Sequence, residues 1–560
     1  MRYFVLLLAC QLIAAPLPLY FSGNEQFSDR ELYEGIGLNL PYFYQFWRSD
    51  PALEPSRSGL YATTLQEFYK SRGFYHAKVH EIVNKDAIRF AISEGPEVII
   101  DDVTVVSRLD LSNDIHSKVE ERFDAATFVE DKKRILKRAY DHGHCNATLN
   151  SKAWIDREKN RAYLLFELTR GEQCRFGPIH VTTDETLAPW LAKSFLRYKE
   201  NDPFSSEKIR QSYDMLYAQS GIAKANIELE EHNGSVVPTT LHVSVREDPV
   251  RFEGGAGYNS DEGFVIQGGI KHRNLFGDLR TLGLEGRYSV IRQEIKSTFT
   301  MPLPDHNLLG TILGYKNERF DGYKERSRYL KPYLQQYDQP HSYNEAILID
   351  EAKTYDSSDE ALFHENTLFV TSLQLGWKFD VRDHLLEPTR GYYLFAEVQG
   401  SKSSVISDAT YIKARVGGAR IFSYHDHVFG LKAHLGSIRR YEGDLPSSYR
   451  FYAGGINSNR AYTYRSLGPS NDHGDPIGFN ALFEGTAEYR YAIYNELRGV
   501  VFSDVTLIGQ EYLPDQNKAY TAVGVGLRYS TPIGPLGIDV GMDVENPSQY
   551  AVHFHIGELF

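Results

Sequence analysis

From residue 251 onward the chain alternates with a period of two, apolar side chains on one face and glycine or charge on the other. In GPLGIDVGMDV, Leu536, Ile538, Val540, Met542 and Val544 share a face opposite Gly537, Asp539, Gly541 and Asp543. In FVTSLQLGWKFD, Phe369, Leu373, Leu375, Trp377 and Phe379 oppose Gln374, Lys378 and Asp380. In YIKARVGG, Ile412, Ala414 and Val416 oppose Lys413 and Arg415. A soluble sandwich alternates too. Charge on the second face together with many strand-end tyrosines is what a lipid-facing barrel with a wet lumen and aromatic girdles requires. Residues 251–560 hold 34 of the 45 Gly and 25 of the 38 Tyr, and no cysteine. At about 10 residues per spanning strand, that length predicts an all-β antiparallel transmembrane barrel of roughly 16 strands with generous loops. A mean hydropathy of −0.41 excludes a bundle of transmembrane helices.

The rest of the chain is of another kind. A net charge of −13 makes nucleic acid an unsuitable partner. Three cysteines exclude a disulfide scaffold and a four-cysteine zinc site. Residues 1–15 read as an export signal, with Arg2 as the charged start, an apolar run over 3–13, and Ala14 and Ala15 as small cleavage residues. Leu7-Leu8-Ala9-Cys10 resembles a lipoprotein box but leaves almost no apolar run before it. Export places Cys145 and Cys174 in an oxidising compartment, where they are either a disulfide or two reduced thiols. Folding the strands about DREKNR sets residue 145 opposite residue 172, close to Cys174.

Residues 17–247 carry a threefold repeat. Tyr69-KSR-Gly73-FYH-Ala77, Tyr140-DH-Gly143-HCN-Ala147 and Tyr217-AQS-Gly221-IAK-Ala225 each set a glycine at a helix C-cap, followed by two strands. The second strands end at Glu94-Gly95, Arg170-Gly171 and Glu247-Asp248, 76 and 77 residues apart. Each α+β unit is expected to run strand, helix, helix, strand, strand, with Ser28 and Glu31 in capping-box spacing and a helix over 185–196 in the third copy. The predicted boundaries are 16–97, 98–172 and 173–248, with the barrel at 249–560. Such units are spacers, or docking sites whose exposed sheet edges accept extended client segments; the two roles are compatible.

Taken together these motifs are specific. GGAGYNSDEG with Arg273-Asn274-Leu275-Phe276-Gly277, then FDVRDHLLEPTRGY, RFYAGGINSNRAYTYRSLGP, GTAEYRY, FSDVTLIG, GVGLRYSTPIGPLGIDVG and the terminal Phe560 follow one another in order. The chain resembles the BamA/TamA superfamily of outer-membrane assembly barrels, whose soluble repeats are called POTRA domains. Three repeats point to the TamA-like branch, since BamA relatives usually carry five and two-partner secretion pores two. The resemblance implies a bacterial outer-membrane barrel with periplasmic POTRA domains that assists insertion of β-barrel clients such as autotransporters, beside a TamB-like inner-membrane partner reaching across the periplasm. The alternative is a passive or two-partner-type secretion channel.

Within that resemblance, Arg460 and Tyr462 belong to the tip of a loop folded into the lumen, where the family carries Arg-Gly-Phe/Tyr and this chain has Ala461. If that turn needs a positive φ, alanine raises its cost. Arg460 is expected to pair with Glu488, Asp504 or both, which alternation places on the lumen face. A weak seam is expected between the first barrel strand, with Gly254, Gly255 and Gly257, and the last, with Val552, Phe554, Ile556 and Phe560, which nothing follows. The competing role for those glycines is relief of crowding. Enzyme chemistry has no support: no nucleophile elbow, metal pattern or cofactor motif stands out. His425 and His427 read as a loop pair, His553 and His555 as a solvated lumen pair, and Asp380, Arg382 and Asp383 as lumen or turn charges.

Overall fold

The computed structural model describes residues 16–41, 48–231, 234–338, 340–385, 387–424, 427–494, 496–515, 518–531 and 536–556. The expected export signal, His425 and Phe560 lie outside the described residues. The chain divides into two compact units, one of residues up to 180 with 197–211 and 228–240, the other of 181–196, 212–227 and 241 onward.

The first repeat consists of β1 (Leu17–Ser22), α1 (Asp29–Gly35), a two-residue β2 (Ala52–Leu53), α2 (Ser58–Ser71), β3 (Lys78–Val83) and β4 (Ile88–Ser93). Its sheet runs β2-β1-β4-β3, with β1 parallel to β4. Ser28 and Glu31 cap α1 reciprocally: the Ser28 amide donates to Glu31 Oε2 at 2.8 Å and the Glu31 amide to Ser28 Oγ at 3.4 Å. Leu32, Leu65, Tyr69, Ile88 and Phe90 close the core between helices and sheet.

The second repeat contains β5 (Ile99–Val106), α3 (Ala125–Asp141), β6 (Thr148–Asp156) and β7 (Arg161–Thr169), ordered β5-β7-β6. It has one α-helix where the repeat pattern predicts two. Residues 107–123 instead form turns: Ser107 Oγ and Asp110 Oδ1 accept from the amides two residues on, a bond that competes with helix. Buried Asp131 then fixes the segment by accepting from the amides of His116 (2.8 Å) and Ser117 (3.0 Å).

The third repeat has β8 (Arg175–Thr183), α4 (Pro189–Ser194), α5 (Ser206–Ala218), β9 (Ile222–Leu229) and β10 (Val236–Val245), with sheet order β8-β10-β9. Its first helix is shorter than expected because Pro189 sets the start. The repeat glycines do not share one job. Gly73 and Gly143 are left-handed, at φ +91° and +88°. Gly221 is not among the positive-φ residues; a Cβ there would meet the Arg273 carbonyl oxygen at 2.5 Å. The need is closeness to the turn at residues 273–280, and the same turn is held where the Asp278 amide donates to Thr186 O (2.8 Å) and Asp278 Oδ1 accepts from the Ala188 amide (3.0 Å).

Sixteen antiparallel strands follow in chain order. They are β11 (Val250–Asn259), β12 (Gly263–His272), β13 (Thr281–Tyr288), β14 (Arg292–Leu303), β15 (Asn307–Phe320), β16 (Tyr323–Asp338), β17 (His341–Tyr355) and β18 (Thr367–Asp380). Then come β19 (Gly391–Ser401), β20 (Ala409–Tyr424), β21 (His427–Gly443), β22 (Ala481–Tyr494), β23 (Leu497–Gly509), β24 (Ala519–Tyr529), β25 (Leu536–Asp543) and β26 (Tyr550–Ile556). Alternation decides which side faces lipid. On β25, Ile538, Val540 and Met542 are exposed outward, while Asp539 and Asp543 are buried in the lumen. On β18 and β20, Phe369, Leu373, Leu375, Ile412 and Val416 are likewise outward. The charges of FDVRD build a turn: Arg382 donates to Asp380 at 2.9 and 2.6 Å, and Asp383 accepts from the amides of Thr389 and Arg390.

Candidate functional site: a charged loop tip beside the first and last strands

Residues 444–480 leave β21, enter the lumen and return to β22. The tip is fully packed: Asn459, Arg460 and Ala461 are each at most 1 % exposed. Asn459 fixes its entry by donating to Tyr520 O at 3.0 Å and accepting from the Ala461 amide at 3.2 Å. Arg460 then grips Asp504 with two parallel bonds, Nε to Oδ2 at 2.8 Å and Nη2 to Oδ1 at 2.9 Å, a fork that an ammonium cannot reproduce. Its Nη1 reaches Glu488 Oε2 at 2.8 Å and Asp539 Oδ2 at 3.2 Å. The guanidinium carbon lies 3.3 Å from the centroid of the Phe502 ring. Tyr462 donates to Asp543 Oδ2 at 2.8 Å. Arg460, Tyr462, Glu488 and Asp504 are thus brought together on the lumen face of β22 to β25.

The sequence reading missed half of this cluster. Arg490 donates to Glu488 Oε1 at 2.8 Å, and Arg528 to both Asp539 oxygens at 2.6 and 2.9 Å. Three guanidinium groups therefore balance three carboxylates, all almost fully buried. Unbalanced, a buried charge costs several kcal/mol, so the count matters. Alternation marks Arg490, Arg528 and Asp539 as inward, and that was the available signal. Ala461 is not among the positive-φ residues, so the alanine imposes no left-handed strain; in this loop those conformations fall on Arg465 and on five glycines, Gly454, Gly455, Gly468, Gly474 and Gly478. His553 and His555 do face the lumen, yet they are buried beneath the loop tip rather than solvated.

Every neighbouring strand pair from β11 to β26 forms a ladder, but among the described residues no ladder joins β26 back to β11. Among the described residues one backbone hydrogen bond crosses there, from the Ser260 amide to Phe554 O at 3.1 Å. Val552, Phe554 and Ile556 point outward at this edge. A Cβ on Gly254 or Gly255 would meet only Gln267, at 3.9 and 3.6 Å, and one on Gly257 would meet nothing within 4 Å. Among the described residues nothing crowds these glycines. They leave an edge without side chains to pack across it.

Cys145 and Cys174 are bonded, with Cα atoms 5.8 Å apart. Extending the β6–β7 register beyond Thr148↔Thr169 sets residue 145 opposite 172, so the bond runs from the end of that hairpin to the first residues of the third repeat. No group of three or more His, Cys, Asp or Glu among the described residues is arranged to hold a metal ion.

Comparison with known proteins agrees with this geometry. Residues 274–560 match the Omp85 superfamily domain. The outer membrane protein assembly factor BamA of Nitratidesulfovibrio vulgaris is 24% identical over 96% of this chain and 72% of its own length. BamA of Neorickettsia risticii is 23% identical over 93% of this chain and 74% of its own. The crystal structure of Haemophilus ducreyi BamA lacking POTRA domains 1–3 superposes with a TM-score of 0.57 at 17% identity, covering 82% of this chain and 99% of that one, and shows the same fold. The chain belongs to the Omp85 superfamily of outer-membrane barrels, with POTRA-like units that in this family are periplasmic.

Proposed function

We propose that this protein is an outer-membrane assembly factor that inserts β-barrel clients, autotransporters among them, through the seam between β11 and β26. The observation that carries the reading is that no ladder joins β11 to β26 among the described residues, with a single described backbone bond and a glycine-lined edge. An incoming client strand can add to such an edge by main-chain hydrogen bonding, without covalent chemistry or a cofactor. The anchor formed by Arg460, Tyr462, Glu488 and Asp504 keeps the lumen filled, which suits a strand-inserting device better than a passive channel. On this reading the POTRA units occupy 16–97, 98–172 and 173–248, and the barrel 249–560. Their open sheet edges receive clients, and three units place the chain in the TamA-like branch with a TamB-like partner. The curated relatives named as assembly factors support the class of activity.

A seam lock tests it. In a Cys145→Ser, Cys174→Ser background, one cysteine replaces Gly255, where there is room for a side chain, and a second is scanned over residues 552–556. Oxidation of an efficiently crosslinking pair should stop client assembly, and reduction should restore it. Normal assembly by a fully crosslinked barrel would end this mechanism.

A further inference from the structure

We infer that His553 is a positioning residue, the centre of a polar latch through which the inward loop holds the seam shut; this rests on the seam reading above. His553 sits on β26 and is 2 % exposed. Its Nδ1 lies 3.1 Å from Ser260 Oγ, in the turn that ends β11, and 3.8 Å from Asp261 Oδ1. Its Nε2 lies 3.2 Å from the carbonyl oxygen of Arg460. A carbonyl only accepts, so hydrogen-bond logic assigns the proton to Nε2; the neutral ring then accepts from the Ser260 hydroxyl at Nδ1. One imidazole therefore joins the last strand to the first hairpin and to the loop tip at once.

The loop reinforces both sides of the same gap. The Ile456 amide donates to Asp261 at 3.2 and 3.3 Å, on the β11 side. On the β26 side, Gln549 donates to Ala461 O at 3.0 Å. A Cβ on Gly541 would meet Arg460 O at 2.3 Å, so the loop tip is pressed directly onto β25. Side-chain and loop bonds thus bridge the two strands where the described residues form no ladder. Side-chain bonds can be exchanged for bonds to an entering strand one at a time, whereas a full ladder must be broken as a unit. Withdrawing the loop tip removes the Arg460 carbonyl from His553 and the Ile456 amide from Asp261 together, which couples loop position to seam opening.

Spin labels on Ile266→Cys and Val540→Cys, both outward-facing and one strand away from the seam on either side, report the gap in lipid nanodiscs without client. The background is Cys145→Ser, Cys174→Ser. Each hydrogen bond removed should raise the population of the longer distance about fivefold. Ser260→Ala, a turn substitution that spares the barrel core, should do so, and His553→Ala should do so at least as strongly. His553→Gln, which keeps a donor for Arg460 O, should fall between parent and alanine. Because Ser260 and His553 share one bond, the double variant should exceed His553→Ala little. A parent-like distance distribution in both single variants, or full additivity in the double, overturns the latch. The seam lock is read separately: an altered distribution with normal assembly in the locked barrel supports the latch and retires the seam as a client route. An unaltered distribution with blocked assembly does the reverse.

Discussion

Replacing Arg460 by alanine leaves three buried carboxylates facing two guanidinium groups, and the loss does not fall evenly. Asp539 keeps both bonds from Arg528, at 2.6 and 2.9 Å, and Glu488 keeps its 2.8 Å bond from Arg490. Asp504 loses both arms of its fork and, among the described residues, retains no guanidinium partner. Breaking a buried pair from one side costs about 3–5 kcal/mol. For a barrel of this size that lowers the apparent melting midpoint by roughly 5–8 °C. Heat-modifiability on gels, read as the temperature at which the compact band gives way to the unfolded one, measures it directly. Arg460→Lys should recover part of the loss, since it restores the charge but not the fork. The discriminating variant is Arg460→Ala with Asp504→Asn. If the orphaned carboxylate is the source of the cost, neutralising it should raise the midpoint of Arg460→Ala. A midpoint within about 2 °C of the parent for Arg460→Ala, or a double variant that is worse than the single, would refute this account of the anchor.

Three further outcomes are expected. The Cys145–Cys174 bond closes a loop of 29 residues, so its loss should destabilise the repeats by about 3–4 kcal/mol on the chain-entropy model, and thiol labelling of unreduced protein should find neither cysteine reactive. Glu207, at the start of α5, is held down to about 2 from 4.5 chiefly by its hydrogen bond from Arg210, with Lys137 adding a second at 3.2 Å. A carboxyl lowered in the folded state contributes stability present above pH 4.5 and lost as pH falls toward 2, so Glu207→Gln should flatten the acid limb of the thermal stability profile in that window. Gly221→Ala should destabilise the protein measurably, because its Cβ meets backbone at 2.5 Å, while Gly257→Ala, with nothing within 4 Å, should melt like the parent.

How much of this was legible in the sequence depends on the distance over which each feature is decided. Strand-face assignments such as Ile538 outward and Asp539 inward need only the neighbouring residue, and period two supplies it. The capping box of α1 is decided within three residues, and Ser28 and Glu31 declare it. The missing helix of the second repeat is harder. Ser107 and Asp110 carry local turn signals, but their decisive partner is Asp131, a residue on the next helix that holds the segment by its backbone amides. Gly221 looks like its two repeat counterparts until the Arg273 carbonyl is placed against it. No window on the repeat contains that carbonyl.

The anchor shows the same limit most clearly. Arg460 lies 28, 44 and 79 residues from Glu488, Asp504 and Asp539, separations fixed by strand stagger rather than by any local pattern. Alternation says that each of these side chains points inward, and it says the same of dozens of other lumen positions. What selects the set is pairing. Of the buried carboxylates on β22 to β25, Glu488 and Asp539 are met by Arg490 and Arg528 of the same strands, whereas Asp504 takes its guanidinium from the loop. Arg460 supplies it from a loop that its own strands, β21 and β22, hold at the rim. The wall and the tip are therefore incomplete without each other, and the loop's insertion is part of closing the barrel rather than an addition to a finished one. The residue beside the tip on the last strand is His553, so the step that pairs Asp504 is also the step that brings the two seam strands within reach.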